Sequence, residues 1–150
     1  REAVAVEDVQ TLRSAGWEVV IADVRFYGEL RIRWSLNAAV WGRPVLGMAV
    51  DDIVTLLNAR PNTGGAVACV GFGALGWAAV CAAVLDERIT HVVAPDLDPT
   101  ALDTAAAPSL PNILRYGSPD ALLALCGSCL LNHAGVDDSS RAASWLAALT

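Results

Sequence analysis

Residues 66–98 constrain the fold of this chain more than any other stretch, and they read AVACVGFGALGWAAVCAAVLDERITHVVAPDLD. An apolar run at residues 66–70 leads into a glycine-rich turn, small and apolar residues follow, and a second apolar run leads to acidic residues. Short apolar runs bounded by turn residues are typical of strands buried on both faces, whereas the longer run between them is typical of a buried helix. The stretch therefore predicts a strand–turn–helix–strand unit in which the two strands are parallel.

The rest of the chain repeats this alternation of helix and strand patterns. The first helix pattern carries Glu7, Asp8 and Arg13 on its outer face and ends at Gly16. Outside the central unit, we predict helices around residues 6–13, 45–57, 118–125 (capped by the Ser118 hydroxyl) and after Ser139 or Ser140, with strands at residues 17–22 and 129–132. The order predicts one α/β domain over residues 1–150, with three αβα layers around a mostly parallel sheet of about four to five strands.

Composition and charge limit which partners this chain can bind and indicate where in the cell it is found. The net charge of −6 argues against a nucleic-acid partner on electrostatic grounds. Residues 64–85 carry no charge, but Gly65, Gly71, Gly73 and Gly76 interrupt them, so we expect a buried strand and helix and no membrane span. The first residues lack the basic-then-apolar layout of a signal peptide, so we expect a cytoplasmic protein.

The four cysteines predict neither a metal site nor a redox site. Cys126 and Cys129 form a C-x-x-C pair, but the pair follows a helix pattern, whereas reactive pairs stand at helix N-termini. No second C-x-x-C completes a zinc site. We therefore expect small buried thiols at these two positions and at Cys69 and Cys81.

The glycine-rich turn fits a dinucleotide fingerprint. The sequence GFGALG at residues 71–76 matches G-x-G-x-x-G between a predicted strand and a predicted helix. In this interpretation Gly71 permits the tight turn, Gly73 lets the backbone approach a pyrophosphate, and Gly76 lets the helix pack closely. Asp96 lies twenty residues beyond Gly76, where a ribose-binding acid is expected, and Asp98 is a near alternative. The alternative function is therefore a Rossmann-type domain that binds NAD(P) or FAD.

The same turn also fits a nucleophile elbow of the G-x-S-x-G kind, with Gly73 at the serine position. The flanking segments favour this interpretation, because the chain resembles the α/β-hydrolase superfamily, and in particular its acetyl-xylan-esterase-like members. The segments that carry the resemblance are DVRFYGE at 23–29, WGRPVLGMAVDDI at 41–53, LDERI at 85–89, PNILRYG at 111–117 and CLL at 129–131.

The resemblance implies a three-layer hydrolase core, ester hydrolysis as the ancestral chemistry, and an incomplete catalytic set. A serine nucleophile is expected where Gly73 stands, and the acid that orients the histidine matches Asp137 or, next, Asp138. His133 precedes that acid and does not match the general base, and neither the base nor the oxyanion loop has a counterpart in residues 1–150. We therefore expect a degenerate or fragmentary esterase-like domain that lacks efficient hydrolysis.

The remaining polar residues are expected to be structural. His91 opens a predicted strand and is interpreted as a structural residue, and the arginines at 25, 31, 33 and 43 as a solvated face. No cofactor is expected for a hydrolase-like domain, and its ligand would be a small ester or a carbohydrate ester. A trimmed core exposes apolar surface or a sheet edge, so we also expect a homo-oligomer or a partner-binding module.

Overall fold

The computed structural model describes residues 6–27, 38, 40–60, 64–95, 97–98, 115, 117–127 and 130–132. Within these residues it contains four helices and three strands. In chain order they are α1 (Val6–Ser14), α2 (Val45–Asn58), β1 (Val67–Val70), α3 (Ala74–Leu85), β2 (Ile89–Val93), α4 (Pro119–Cys126) and β3 (Leu130–Asn132). The strands form a parallel sheet in the order β1-β2-β3. The predicted α/β class and the parallel strand–turn–helix–strand unit are therefore confirmed.

The register of β1 against β2 is set by a small irregularity at Thr90. Val67 lies opposite Ile89 and Cys69 opposite Val92, with the register shifting between Val67 and Ala68. At this shift the Val67 N–H donates to Thr90 Oγ1 at 3.1 Å, and the Thr90 hydroxyl donates to the Val67 carbonyl at 3.1 Å. A side chain thus satisfies backbone groups that the bulge would otherwise leave unpaired.

Helix α3 lies at the centre of the described core. It carries no charged residue, which suits a helix surrounded by other elements, and it packs against α2, α4, β1 and β2. Half of its twelve residues are buried: Gly76, Trp77, Ala78, Ala79, Val80 and Ala82. Burying a side chain the size of Val80 contributes about 1.5–3 kcal/mol. The small residues of α3 allow its neighbours to approach closely, and this holds the turn before it in place.

Helix α2 buries one face against α3, and an ion pair holds the preceding loop to it. Its buried residues are Val45, Leu46, Met48, Ala49 and Val50. The Arg25 backbone N–H donates to Asp52 Oδ2 at 2.8 Å and the Arg25 Nε donates to Asp52 Oδ1 at 2.8 Å. Arg25 Nη2 also donates to the Met48 carbonyl at 3.2 Å. Residues 24–27 are thereby fixed on α2.

The prediction of a buried strand at residues 17–22 was wrong. These residues belong to no strand, and Val20 and Ile21 are 47% and 67% exposed. The chain leaves α1 through Gly16, whose φ is +88°, and the Trp17 N–H donates back to the Leu12 carbonyl at 3.0 Å. A β pattern becomes a strand only beside a partner strand, and the described residues supply none here.

Two smaller predictions also need correction. Asp8 was expected on the outer face of α1, yet it is buried at 6% exposure, because the sequence pattern does not reveal what covers this side of the helix. Ser118 occupies the N-cap of α4, but its hydroxyl caps nothing; its carbonyl instead accepts from the Ala121 N–H at 2.9 Å. The predicted last helix, after Ser139 or Ser140, lies outside the described residues.

No helix in the described ranges has the length and apolar character needed to span a bilayer. The uncharged residues 64–85 fold instead as β1, the glycine turn and α3, which agrees with the expectation from the glycine spacing.

Candidate functional site

The candidate site is the turn between β1 and α3, with Gly73 at its apex. Gly73 has φ +54° and ψ −128°, and the Leu75 N–H donates to the Phe72 carbonyl at 3.0 Å. These values define a type II′ turn over residues 72–75, in which the residue after the first has positive φ. A side chain at residue 73 would be held in a strained conformation at the sharp strand-to-helix junction. This is the local geometry that a nucleophile elbow requires.

Gly71 and Gly76 allow the strand end and the helix start to touch. A Cβ at Gly71 would lie 2.3 Å from the Leu75 carbonyl oxygen and 2.8 Å from the Gly76 nitrogen. A Cβ at Gly76 would lie 3.0 Å from Leu97 Cδ1 and 3.2 Å from Ala94 Cβ. The turn therefore excludes any side chain at Gly71, and it admits one at Gly76 only if neighbouring side chains shift.

The loop after β2 folds back onto the first turns of α3. Trp77 is 1% exposed, and its Nε1–H donates to the Asp98 carbonyl at 2.8 Å. Leu97, 5% exposed, packs over Gly76 from the same loop. Trp77 is a bulky residue for the start of a tightly packed helix, and its hydrogen bond anchors this loop to α3.

Two backbone amides at the start of α3 are engaged inside the turn. The Leu75 N–H donates to the Phe72 carbonyl, and the Gly76 N–H donates to the Gly73 carbonyl, both at 3.0 Å. A pyrophosphate cradle needs amides of the first helical turn to point at the ligand. The two internal bonds therefore leave fewer backbone donors for a phosphate at this helix start.

The structure brings together only part of the predicted site. Gly71, Gly73 and Gly76 lie at the β1–α3 turn as the sequence predicts. Asp96, the predicted ribose acid, and Asp137, the predicted triad acid, lie outside the described residues, as do Asp138 and His133. Asp98, the alternative ribose acid, is exposed, and its backbone carbonyl holds Trp77.

The described cysteines do not replace the missing nucleophile. Cys69 lies on β1 and Cys81 on α3, away from the apex, and burial raises the pKa of each thiol to about 11. Both thiols therefore remain protonated near neutral pH, and thiols are weak nucleophiles. Cys126 is buried and its thiol donates to the Val80 carbonyl at 3.5 Å. Cys129 lies outside the described residues.

The polar residues that sequence analysis assigned to structural roles have structural partners where they are described. The His91 ring packs edge-on against Trp17 with centroids 6.5 Å apart, and His91 Nδ1 lies 2.8 Å from Thr90 Oγ1. Arg25 is paired with Asp52, and Arg43 is exposed. Arg31 and Arg33 lie outside the described residues. Arg25 therefore has a structural role, because its charge is paired with Asp52.

Sequence reasoning missed one group near the Arg25 clamp. The Tyr27 hydroxyl is buried and makes no hydrogen bond within the described structure, and burial raises the pKa of this phenol. Phe26 beside it has φ +69°, and the Tyr27 N–H donates to the Val24 carbonyl at 3.1 Å. No residue of glycine or asparagine type marks this turn, so the sequence carried no signal for its positive φ.

In the part of the chain that is described, no group of three or more His, Cys, Asp or Glu side chains could hold a metal ion. No protein-family model, no curated protein and no solved structure matches the chain. The geometry of the β1–α3 turn is therefore the main indication of what this chain does.

Proposed function

We propose that this chain is an α/β-hydrolase-like domain, esterase-like in ancestry, that lacks efficient hydrolysis and acts as a binding or assembly module. The observation that carries the proposal is the type II′ conformation of Gly73 at the strand-to-helix apex. That position is where an acyl-transfer enzyme of this architecture holds its nucleophile, and glycine has no side chain to attack with.

The packing around the turn supports the same proposal. Gly71 must lack a side chain because the backbone of Leu75 lies where its Cβ would be, and this close approach sharpens the turn. Trp17 and Leu12 pack against Ala68 and Val93 of the sheet, whereas α2, α3 and α4 cluster with the other core residues. We propose on this basis a three-layer core with further strands, of about four to five in total.

The first experiment introduces the missing hydroxyl and a matched control. Gly73→Ser and Gly73→Ala add the same Cβ at positive φ, so each should destabilise the fold by about 1–3 kcal/mol. On p-nitrophenyl acetate, Gly73→Ser should hydrolyse faster than Gly73→Ala and the wild type, although the gain stays small without a positioned base. Equal rates for all three proteins would contradict the elbow interpretation.

The alternative function is a dinucleotide-binding domain, and one observation favours it. The first and third glycines of the fingerprint stand where the backbone packs most closely, as a Rossmann-type turn also requires. NAD, NADP and FAD discriminate between the two functions, because a bound ligand raises the melting temperature by mass action. The hydrolase-like proposal predicts no rise with any of them. A saturable rise that Gly73→Ala abolishes would support the alternative and overturn the proposal.

A further inference from the structure

We infer that the Tyr27 hydroxyl is a ligand-binding group of the Gly73 site, where it donates a hydrogen bond to the carbonyl oxygen of a small uncharged ester or amide. The inference deepens the proposed binding role, on which it rests, by naming a residue and the chemical class of the ligand. It follows from the position of Tyr27 relative to the sheet and from its buried hydroxyl, which makes no hydrogen bond within the described structure.

Two polar contacts fix the direction of α2 relative to the sheet. Asn58, the last residue of α2, accepts through Oδ1 from Arg88 Nη2 at 2.7 Å, and Arg88 directly precedes β2. Arg60, two residues beyond α2, pairs with Glu18. The C-terminal end of α2 therefore lies at the amino edge of the parallel sheet. Since α2 packs against α3 and its 14 residues span about 20 Å, its N-terminal half lies toward the carboxyl edge.

The segment that carries Tyr27 runs toward the same edge beside α2. Glu18 lies near the C-terminal end of that helix, whereas Arg25 Nη2 donates to the Met48 carbonyl in its first half. Tyr27 follows two residues later, and Gly73 stands at the apex of the turn that follows β1. In open α/β sheets, ligands bind outside the carboxyl ends of the strands. Tyr27 and the Gly73 turn therefore lie toward the edge of the sheet where a ligand is expected.

The Tyr27 hydroxyl contributes nothing favourable to the folded state alone. The ring packs against the core cluster that contains Val24 and Leu46, and a phenylalanine ring would make the same apolar contacts. A buried hydroxyl without a hydrogen bond costs about 1–3 kcal/mol of stability. Among the described residues, Asp8 Oδ2 is the other buried side-chain atom in this condition. Tyr27 as a whole is only partly buried, so the residue borders solvent, from which a ligand can supply the missing acceptor.

The charges around Tyr27 favour an uncharged ligand. Arg25 and Asp52 pair with each other at 2.8 Å, so their charges compensate one another. Burial raises the pKa of the Tyr27 phenol above its ordinary 10.0, so the hydroxyl remains protonated and able to donate at neutral pH. The Tyr27 N–H donates to the Val24 carbonyl at 3.1 Å, which fixes the backbone that carries this donor. A fixed neutral donor suits a carbonyl oxygen, which accepts hydrogen bonds and carries no charge.

Nuclear magnetic resonance with acetanilide as the probe tests the inference on the wild-type protein. Acetanilide is an uncharged amide with a carbonyl acceptor, and it should shift the backbone amide signals of Tyr27 and Gly73 saturably. Glu18, at the amino edge, should not respond. Acetate carries a charge and should bind more weakly than acetanilide. A wild type without saturable shifts, shifts at Tyr27 that spare Gly73, or tighter binding of acetate would each overturn the inference.

Tyr27→Phe removes only the hydroxyl, and Asp8→Asn is the matched control. Asp8 also has a buried oxygen without a hydrogen bond, but it belongs to α1, whose Leu12 packs with Val93 on the other face of the sheet. Tyr27→Phe should weaken acetanilide binding at least about threefold, because one hydrogen bond to the probe is lost. Asp8→Asn should bind the probe as the wild type does. Unchanged affinity in Tyr27→Phe, or equal weakening by both variants, would overturn the inference.

Urea denaturation separates a ligand-binding hydroxyl from a structural one. Tyr27→Phe should be at least as stable as the wild type, because it loses a buried hydroxyl that has no partner. A Tyr27→Phe protein that is clearly less stable would assign the hydroxyl a structural hydrogen bond and would overturn the inference. The Gly73→Ser experiment measures a hydrolysis rate, whereas these experiments measure binding by a chain that retains Gly73. The nucleophile position and the role of Tyr27 can therefore fail independently.

Discussion

At the scale of single residues, the β1–α3 turn depends on three glycines that do different physical work. Gly73 supplies a positive φ, Gly71 supplies the space for the Leu75 carbonyl, and Gly76 supplies room beneath Leu97. The first requirement concerns backbone conformation and the other two concern packing. Substitutions at these positions can therefore distinguish the cost of backbone strain from the cost of steric overlap.

We predict that Gly71→Ala destabilises the protein far more than Gly16→Ala. A Cβ at Gly71 meets backbone atoms that cannot move alone, so the free energy of unfolding should fall by about 3 kcal/mol or more. Gly16 has φ +88° but open space around it, so Gly16→Ala should cost only about 1 kcal/mol of strain. Urea denaturation measures both. Equal losses would show that the backbone of β1 and α3 is not in contact at Gly71.

The sequence predicts a glycine turn between a strand and a helix, but it does not show which of the two functions this turn serves. Both interpretations required glycine at 71 and a strand and helix on either side, so these features could not discriminate between them. The discriminating quantities are the dihedral angles of Gly73 and the hydrogen bonds of the Leu75 and Gly76 amides, and neither is encoded in residue identity. Similarly, nothing in the sequence distinguishes buried Asp8 from its exposed neighbour Glu7.

At the scale of elements, the Arg25 side chain links residues 24–27 to α2, in addition to the contacts of Val24 and Tyr27 with the core. Arg25 binds Asp52 through both its backbone N–H and its guanidinium and reaches the Met48 carbonyl. This arrangement fixes a turn in which Phe26 adopts φ +69°. The clamp therefore holds a strained turn against α2.

Arg25→Lys tests the clamp, because a lysine keeps the charge but loses the planar fork. We expect the free energy of unfolding to fall by about 1 kcal/mol, since the pair is partly exposed and solvent screens it. Amide exchange at Phe26 and Tyr27 should rise at the same time. Arg43→Lys, at an exposed arginine before α2, is the control and should change neither quantity. An unchanged Arg25→Lys protein would show that the turn is held by other contacts.

Helices and strands were predicted well where a local sequence pattern is enough to specify them. They were predicted poorly where the structure depends on pairing with a second segment. The central unit, α2 and α4 were evident from the apolar spacing and from the glycine turn. Residues 17–22 have the composition of a strand, but pairing is a property of two segments and their alignment, which composition does not specify.

At the scale of the whole molecule, the buried thiols make stability depend on alkaline pH. Burial raises the pKa of Cys69 and Cys81 to about 11, above the ordinary 9.0, so between these values the folded protein holds protons that the unfolded chain has released. Their contribution is complete below about pH 9 and is lost as the pH rises through 11. Urea midpoints should therefore fall from about pH 8 to about pH 10.5. The Cys69→Ala/Cys81→Ala variant should show a smaller fall; an identical fall would contradict the assignment.

The central claim is that residue 73 stands at the nucleophile position of an elbow. Its most direct test is the mass of the Gly73→Cys protein after exposure to p-nitrophenyl acetate. A thiol at a sharp apex before the N-terminus of α3 should have a lowered pKa, whereas the pKa of the half-buried Cys69 and Cys81 thiols is raised to about 11 and Cys126 is buried. The account predicts one acetyl group on residue 73 at neutral pH, and none on the wild type. A folded Gly73→Cys protein that is acetylated no faster than the wild type would contradict it.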